Sequence, residues 1–168
     1  MLVVRNPGNI VSPAAPDGLS VGDESEAAAI EFAVGLLEVR DIIVCGHSSC
    51  GAMSGLLQGR ESVSAPHLRS WLRHAERALE HIPDRAAAGA VDRLSQANVL
   101  LQLEHLRTYP VVERAEKESG LRLHAFWFDI ANAEVLAYDP GQDHFLPLDE
   151  RQAERLARAG SARSGGAL

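Results

Sequence analysis

Ile42-Ile43-Val44-Cys45-Gly46-His47-Ser48-Ser49-Cys50-Gly51-Ala52-Met53 sets an apolar run directly before a glycine-flanked turn. Its β-branched start is the kind of run that fills the centre of a parallel sheet. The turn that follows delivers an imidazole and a thiol to the strand end. Gly46 and Gly51 are expected where the backbone bends sharply from strand to helix, because a residue without Cβ tolerates such bends. His47 and Cys50 are three residues apart, which lets both face one ion at about 2.0 to 2.3 Å if the turn runs on into a helix. They are the candidate metal ligands, and zinc is the metal that suits an imidazole and a thiolate. Ser48 and Ser49 read as caps of the following helix.

Working outward, Asp23 followed three residues later by Glu26 marks a helix start. Ala27, Ile30, Val34 and Leu37 then recur at helical spacing and predict a helix over about 24–38. Downstream, Pro66 opens a second long helix with Leu68, Trp71, Leu72, Ala75 and Leu79 on one side, ending near Ile82-Pro83. A third is expected over about 89–107 through Leu94, Ala97, Leu101 and His105, and Pro110 starts a shorter one. Leu121 to Phe128 reads as a strand, with Val135 to Tyr138 returning antiparallel as a hairpin and Asp129 as a turn residue. Met1 to Val4 reads as the end of another strand. Alternating strands and helices give the class α/β, with a mostly parallel central sheet flanked by helices and an antiparallel C-terminal hairpin. The expected organisation is one domain over 1–150, then a helix end and flexible tail over 151–168.

Length and composition agree with one core, since 168 residues can bury most of their apolar surface without disulfides. The chain carries 16 basic and 23 acidic side chains, a net charge of -7, and no basic stripe with interleaved aromatics. That balance excludes a nucleic-acid partner. No run of about 18 apolar residues is present, so no membrane association is expected. The two cysteines, Cys45 and Cys50, both flank His47, which favours a metal over a disulfide and a reducing, cytoplasmic setting.

Further segments carry a family resemblance: Arg5-Asn6-Pro7-Gly8-Asn9-Ile10-Val11, Ala29-Ile30-Glu31-Phe32-Ala33-Val34, Val44-Cys45-Gly46-His47-Ser48-Ser49-Cys50-Gly51-Ala52-Met53, Asn98-Val99 with Gln102-Leu103, Tyr109-Pro110-Val111-Val112, and Gly120 to Ile130. In this order the chain resembles the β-class carbonic anhydrases from residue 1 to about 140. The resemblance implies a zinc enzyme that interconverts carbon dioxide and bicarbonate and pairs its subunits into homodimers or higher oligomers. It implies that His47 and Cys50 are two of three protein ligands to zinc. The family carries its first cysteine ligand in a C-x-D-S-R segment upstream of the stretch matching Arg5 to Asn9, and no such segment occurs in this sequence. The expectation is therefore a truncated reading of a longer protein, with a strand missing beside Ile42 to Val44. The family's Ala after the Asn is Pro7 here, which removes a backbone donor.

Other residues receive plainer readings. Cys45, two residues before His47, shares its strand face but reads as a small buried core residue rather than a third ligand. His67, His74 and His81 recur every seven residues, about 10.5 Å along a helix, and so form a polar or interface stripe rather than one metal site. His105, His124 and His144 read as structural. Arg5 and Asn6 read as salt-bridging or turn-closing. Two rival functions remain beside carbonic anhydrase: a catalytically inactive relic that oligomerises, and a carbonyl sulfide or carbon disulfide hydrolase on the same scaffold.

Overall fold

A computed structural model describes residues 1–150 and 153–154. The expected tail over 151–168 therefore lies outside the described residues, apart from Ala153 and Glu154. The elements run α1 (Glu24–Glu31), β1 (Asp41–His47), α2 (Gly51–Leu57), α3 (Pro66–Trp71), α4 (Ala90–Arg107), α5 (Pro110–Glu118), β2 (Arg122–Asp129), β3 (Glu134–Asp139) and β4 (His144–Pro147). One sheet of order β1-β2-β3-β4 holds all four strands. β1 and β2 are parallel, with Gly46 opposite Trp127 and His47 opposite Phe128. β2, β3 and β4 are antiparallel neighbours, so the hairpin predicted from Val135 extends by one further strand. The α/β class and the hairpin match the sequence reading, while among the described residues only one of the three pairings is parallel. Asp41 fixes the register at the start of β1, accepting from Arg122 Nε and Nη2 at 2.7 Å each and bonding His124 Nε2 at 2.7 Å.

Met1 to Val4 differ from expectation: they lie outside the strands, with exposures of 115%, 44%, 61% and 50%. The first predicted helix forms, but its second half, Phe32–Leu36, winds as a π-helix. The second also changes form, from α-helix over Pro66–Trp71 to a 3₁₀-helix over Leu72–His81. Three residues per turn line up positions i and i+3, and Leu72, Ala75 and Ala78 are all 0% exposed. The same winding separates the three histidines: His74 turns inward, whereas His67 and His81 stay exposed.

α4 lies between two apolar clusters. Val99, Leu103 and Leu106 face the sheet, α1 and α5, while Ala90, Leu94 and Leu101 face α2 and the 3₁₀ segment. Between these faces runs a buried polar stripe that serves the N-terminal segment. Asn98 Nδ2 donates to Gly8 O at 2.9 Å, Gln102 Oε1 accepts from Val11 N at 2.8 Å, and His105 Nδ1 bonds Val11 O at 2.7 Å. Tyr109 follows, donating its hydroxyl to Ser12 O at 2.6 Å. Gly8 and Ile10 to Ser12 are buried without forming sheet, so their backbone groups need side-chain partners.

Glu26 belongs to the same network. As expected, Asp23 caps α1, accepting from Ser25 N at 2.8 Å. Glu26 does not complete a capping box, because its carboxylate turns inward to accept from Asn6 Nδ2 at 2.9 Å and Ser12 N at 3.0 Å. Asn6 also closes its own turn onto Ile10, which agrees with the turn-closing reading.

Burial raises the Glu26 pKa to about 7, against which the Ser12 and Asn6 donors act only partly. Burial lowers His74 to about 4. Between pH 4.5 and 7 the folded chain therefore holds a proton on Glu26 that the unfolded chain has released, and stability falls as pH rises. His74 acts oppositely between pH 4 and 6.5, since the unfolded chain binds that proton and stability rises with pH. Glu26→Gln should remove only the first contribution, roughly 3 kcal/mol across its window. Urea denaturation from pH 4.5 to 8 should show the wild-type advantage over the variant shrinking toward pH 7, and a pH-independent difference would contradict this.

At the β1–α4 contact, a Cβ on Gly46 would lie 2.6 Å from Val99 Cγ2 and 3.2 Å from Ser95 Oγ. Gly46→Ala should therefore destabilise the fold by about 1–3 kcal/mol through overpacking. An unchanged urea midpoint would show that the contact yields without cost.

Candidate metal centre

His47 is the last residue of β1, and Cys50 is the N-cap of α2. Two residues, Ser48 and Ser49, make the whole connection. Its conformation is set by hydrogen bonds to three other elements. The His47–Ser48 peptide donates from Ser48 N to Phe128 O at 2.9 Å and accepts at His47 O from Ser95 Oγ at 2.9 Å. Ser95 in turn accepts from Trp127 Nε1 at 3.1 Å. The Ser48–Ser49 peptide donates from Ser49 N to Asp92 Oδ1 at 2.7 Å and accepts at Ser48 O from the His47 ring, whose Nδ1 lies at 2.8 Å. Ser48 Oγ accepts from Ile130 N at 2.9 Å, tying the turn to the hairpin.

These contacts correct two expectations. Neither serine caps α2: Ser48 holds the hairpin, and Ser49 carries the strained backbone at φ 54°. Gly46 is needed because α4 approaches it, whereas a Cβ on Gly51 would meet nothing within 4 Å.

The His47 tautomer follows from the geometry. A carbonyl can only accept, so the bond to Ser48 O places the proton on His47 Nδ1 and leaves the Nε2 lone pair for a metal. Cys50 is 2% exposed, and its carbonyl accepts from Ser54 N at 2.9 Å in the first turn of α2. Cys45 is exposed rather than buried in the core. Its thiol lies 3.5 Å from Gly46 O, and desolvation raises its pKa, which disfavours the thiolate that metal binding requires.

The donor chemistry at His47 and Cys50 suits zinc, one imidazole nitrogen and one sulfur. The number of donors is smaller than a full set. Catalytic zinc takes three protein ligands, and among the described residues no group of three or more His, Cys, Asp or Glu side chains is placed to hold an ion. Arg5 is exposed, and Asp129 is the last residue of β2 rather than part of the turn, its carboxylate closing the turn by accepting from Ala131 N at 3.0 Å and Asn132 Nδ2 at 2.8 Å.

The residues missed from sequence are the anchors Asp92 and Ser95. A signal was present: Asp92, Ser95, Asn98, Gln102 and His105 recur every three or four positions on one helix, a polar stripe inside an otherwise apolar pattern. Its backbone partners, distant in the chain, leave no such mark.

The family model for carbonic anhydrase matches residues 1–135. A carbonic anhydrase of Pseudomonas aeruginosa is 38% identical over 158 residues, covering 92% of this chain and 70% of the relative. Carbonic anhydrase 1 of Escherichia coli is 35% identical, covering 86% of this chain and 65% of the relative, and a Synechocystis carbonic anhydrase is 36% identical, covering 90% and 55%. The chain thus spans between about half and 70% of the length of these relatives. The solved β-carbonic anhydrase CcaA superposes with a TM-score of 0.79 at 35% identity, covering 88% of this chain and 71% of that one. Family-wide sequence, a shared fold and the His47 to Cys50 turn agree: this chain belongs to the β-class carbonic anhydrases.

Proposed function

We propose that this chain is a zinc-dependent carbonic anhydrase interconverting carbon dioxide and bicarbonate, with His47 and Cys50 among the metal's ligands. The observation that carries the reading is the β1–α2 turn, which fixes the imidazole proton on Nδ1 and sets Nε2 and a thiol on either side of two residues. Bound zinc would lower the pKa of a water to about 7 and so supply hydroxide at neutral pH. The chain's own part is positional. Ser48 O holds the Nδ1 proton, Ser95 and Phe128 fix the first peptide of the turn, and the buried start of α2 fixes Cys50.

The chain works as a homodimer or larger assembly on this reading. Exposed apolar side chains support it, among them Phe32 at 45%, Leu36 at 71%, Leu37 at 52% and Ile43 at 52%. Two β-carbonic anhydrases of Sordaria macrospora, one of which resembles this chain at 32% identity and a TM-score of 0.66, are tetrameric. Both cysteines are free thiols, which suits a reducing cytoplasm. Among the described residues no helix is long and apolar enough to cross a membrane.

One observation favours a second reading, the inactive oligomerising relic: the described residues offer two metal donors and no third. Metal analysis with stopped-flow hydration decides between them. Zinc near one per chain together with turnover supports the enzyme, and a metal-free, inactive protein supports the relic. On the first reading, His47→Ala and Cys50→Ala should each reduce zinc content at least tenfold and abolish hydration. Full zinc content in either variant would refute the ligand assignment.

A further inference from the structure

Asp92 lies in the first turn of α4, on a different element from either proposed ligand. Its carboxylate accepts from Ser49 N at 2.7 Å, and the peptide that owns this N–H also owns the carbonyl of Ser48. A trans peptide points its N–H and C=O in opposite directions. Holding the N–H on Asp92 therefore aims Ser48 O away from α4, where it meets His47 Nδ1 at 2.8 Å. We infer that Asp92 is a positioning residue for the metal centre, acting through the Ser48–Ser49 peptide to keep the His47 imidazole in its Nδ1–H tautomer with Nε2 presented.

Three observations make the clamp more than a surface hydrogen bond. Ser49 holds φ 54°, a conformation that costs a non-glycine residue about 1–2 kcal/mol and persists only when its surroundings enforce it. The preceding peptide is already fixed on both sides by Phe128 O and Ser95 Oγ, so the Ser48–Ser49 unit is the remaining rotatable plane. Finally, Asp92 and Ser95 are one helical turn apart on the same face of α4, so one rigid helix sets both peptides together. The role is geometric rather than electrostatic, since any acceptor oxygen at this position would do. An isosteric amide keeps that oxygen and removes the charge.

This inference rests on the reading of His47 as a ligand, and its test separates the two. Nitrogen-15 spectra of the metal-free chain report the His47 tautomer, and Zn²⁺ affinity is measured by competition with a chromophoric chelator. The wild type and Asp92→Asn should both show the Nδ1–H form and bind Zn²⁺ within about threefold of each other. Asp92→Ala should show a mixture of tautomers and weaker Zn²⁺ binding by about tenfold or more, the usual consequence of losing a ligand's support. If the alanine variant does not fold, Asp92→Glu, which shifts the carboxylate off Ser49 N, gives the same readouts. An unchanged His47 tautomer in the alanine or glutamate variant overturns the clamp. A wild-type chain that takes up no Zn²⁺ overturns the ligand reading instead, and the nitrogen spectra then decide the clamp on their own.

Discussion

Side-chain hydrogen bonds from one helix to non-repetitive backbone are the constraint on which this structure depends. Residues 6–12, and Ser48 and Ser49 just beyond the end of β1, run through the interior or against it outside the strands. Each buried N–H or C=O left unpaired there would cost on the order of 1–3 kcal/mol. Helix α4 meets that demand along a single stripe: Asp92 and Ser95 serve the turn after β1, and Asn98, Gln102 and His105 serve the N-terminal segment. The members also bond one another, Gln102 Nε2 donating to Asn98 Oδ1 at 2.7 Å and His105 Nδ1 lying 3.0 Å from Gln102 Oε1. Loss of one member therefore leaves others unsatisfied.

The same arrangement couples packing to chemistry. The stripe lies between the apolar faces of α4, so the two hydrophobic clusters fix the helix and the helix fixes the turn. Close approach at Gly46 brings Ser95 within reach of His47 O, and the indole of Trp127 closes the contact from β2. Residues 6–12 join the frame through Gly8, where a Cβ would lie 3.1 Å from Met53 Cε and 3.2 Å from Ala52 Cβ on α2, the helix that begins after Cys50. A core built in this way fixes the two ends of the turn that carry the His47 imidazole and the Cys50 thiol.

How much of this was legible in the sequence varied with the range of the interaction. The prolines at 66 and 110 and the Asp23 cap act locally, and each marks its element; the run Ile42 to Val44 marks a strand, but among the described residues β1 lies at the edge of the sheet rather than at its centre. The family motifs likewise placed His47 and Cys50 at the strand end. The 3₁₀ winding after Trp71 was hidden, because Leu72, Ala75 and Ala78 fit a helical pattern of either pitch until packing selects one. Strand β4 was missed because His144 to Pro147 is four residues long, with the alternation of only a single buried Phe145. The inward turn of Glu26 was masked by its fit to a capping box. Asp92 and Ser95 were missed because what they recognise is backbone, which carries no side-chain signature.

The claim that most depends on all of this is that His47 and Cys50 both bind zinc. X-ray absorption spectroscopy of the zinc-loaded chain tests it most directly. The expected first shell contains sulfur at about 2.3 Å together with imidazole nitrogen at about 2.0 to 2.1 Å. A shell of oxygen and nitrogen alone, without sulfur, would contradict it.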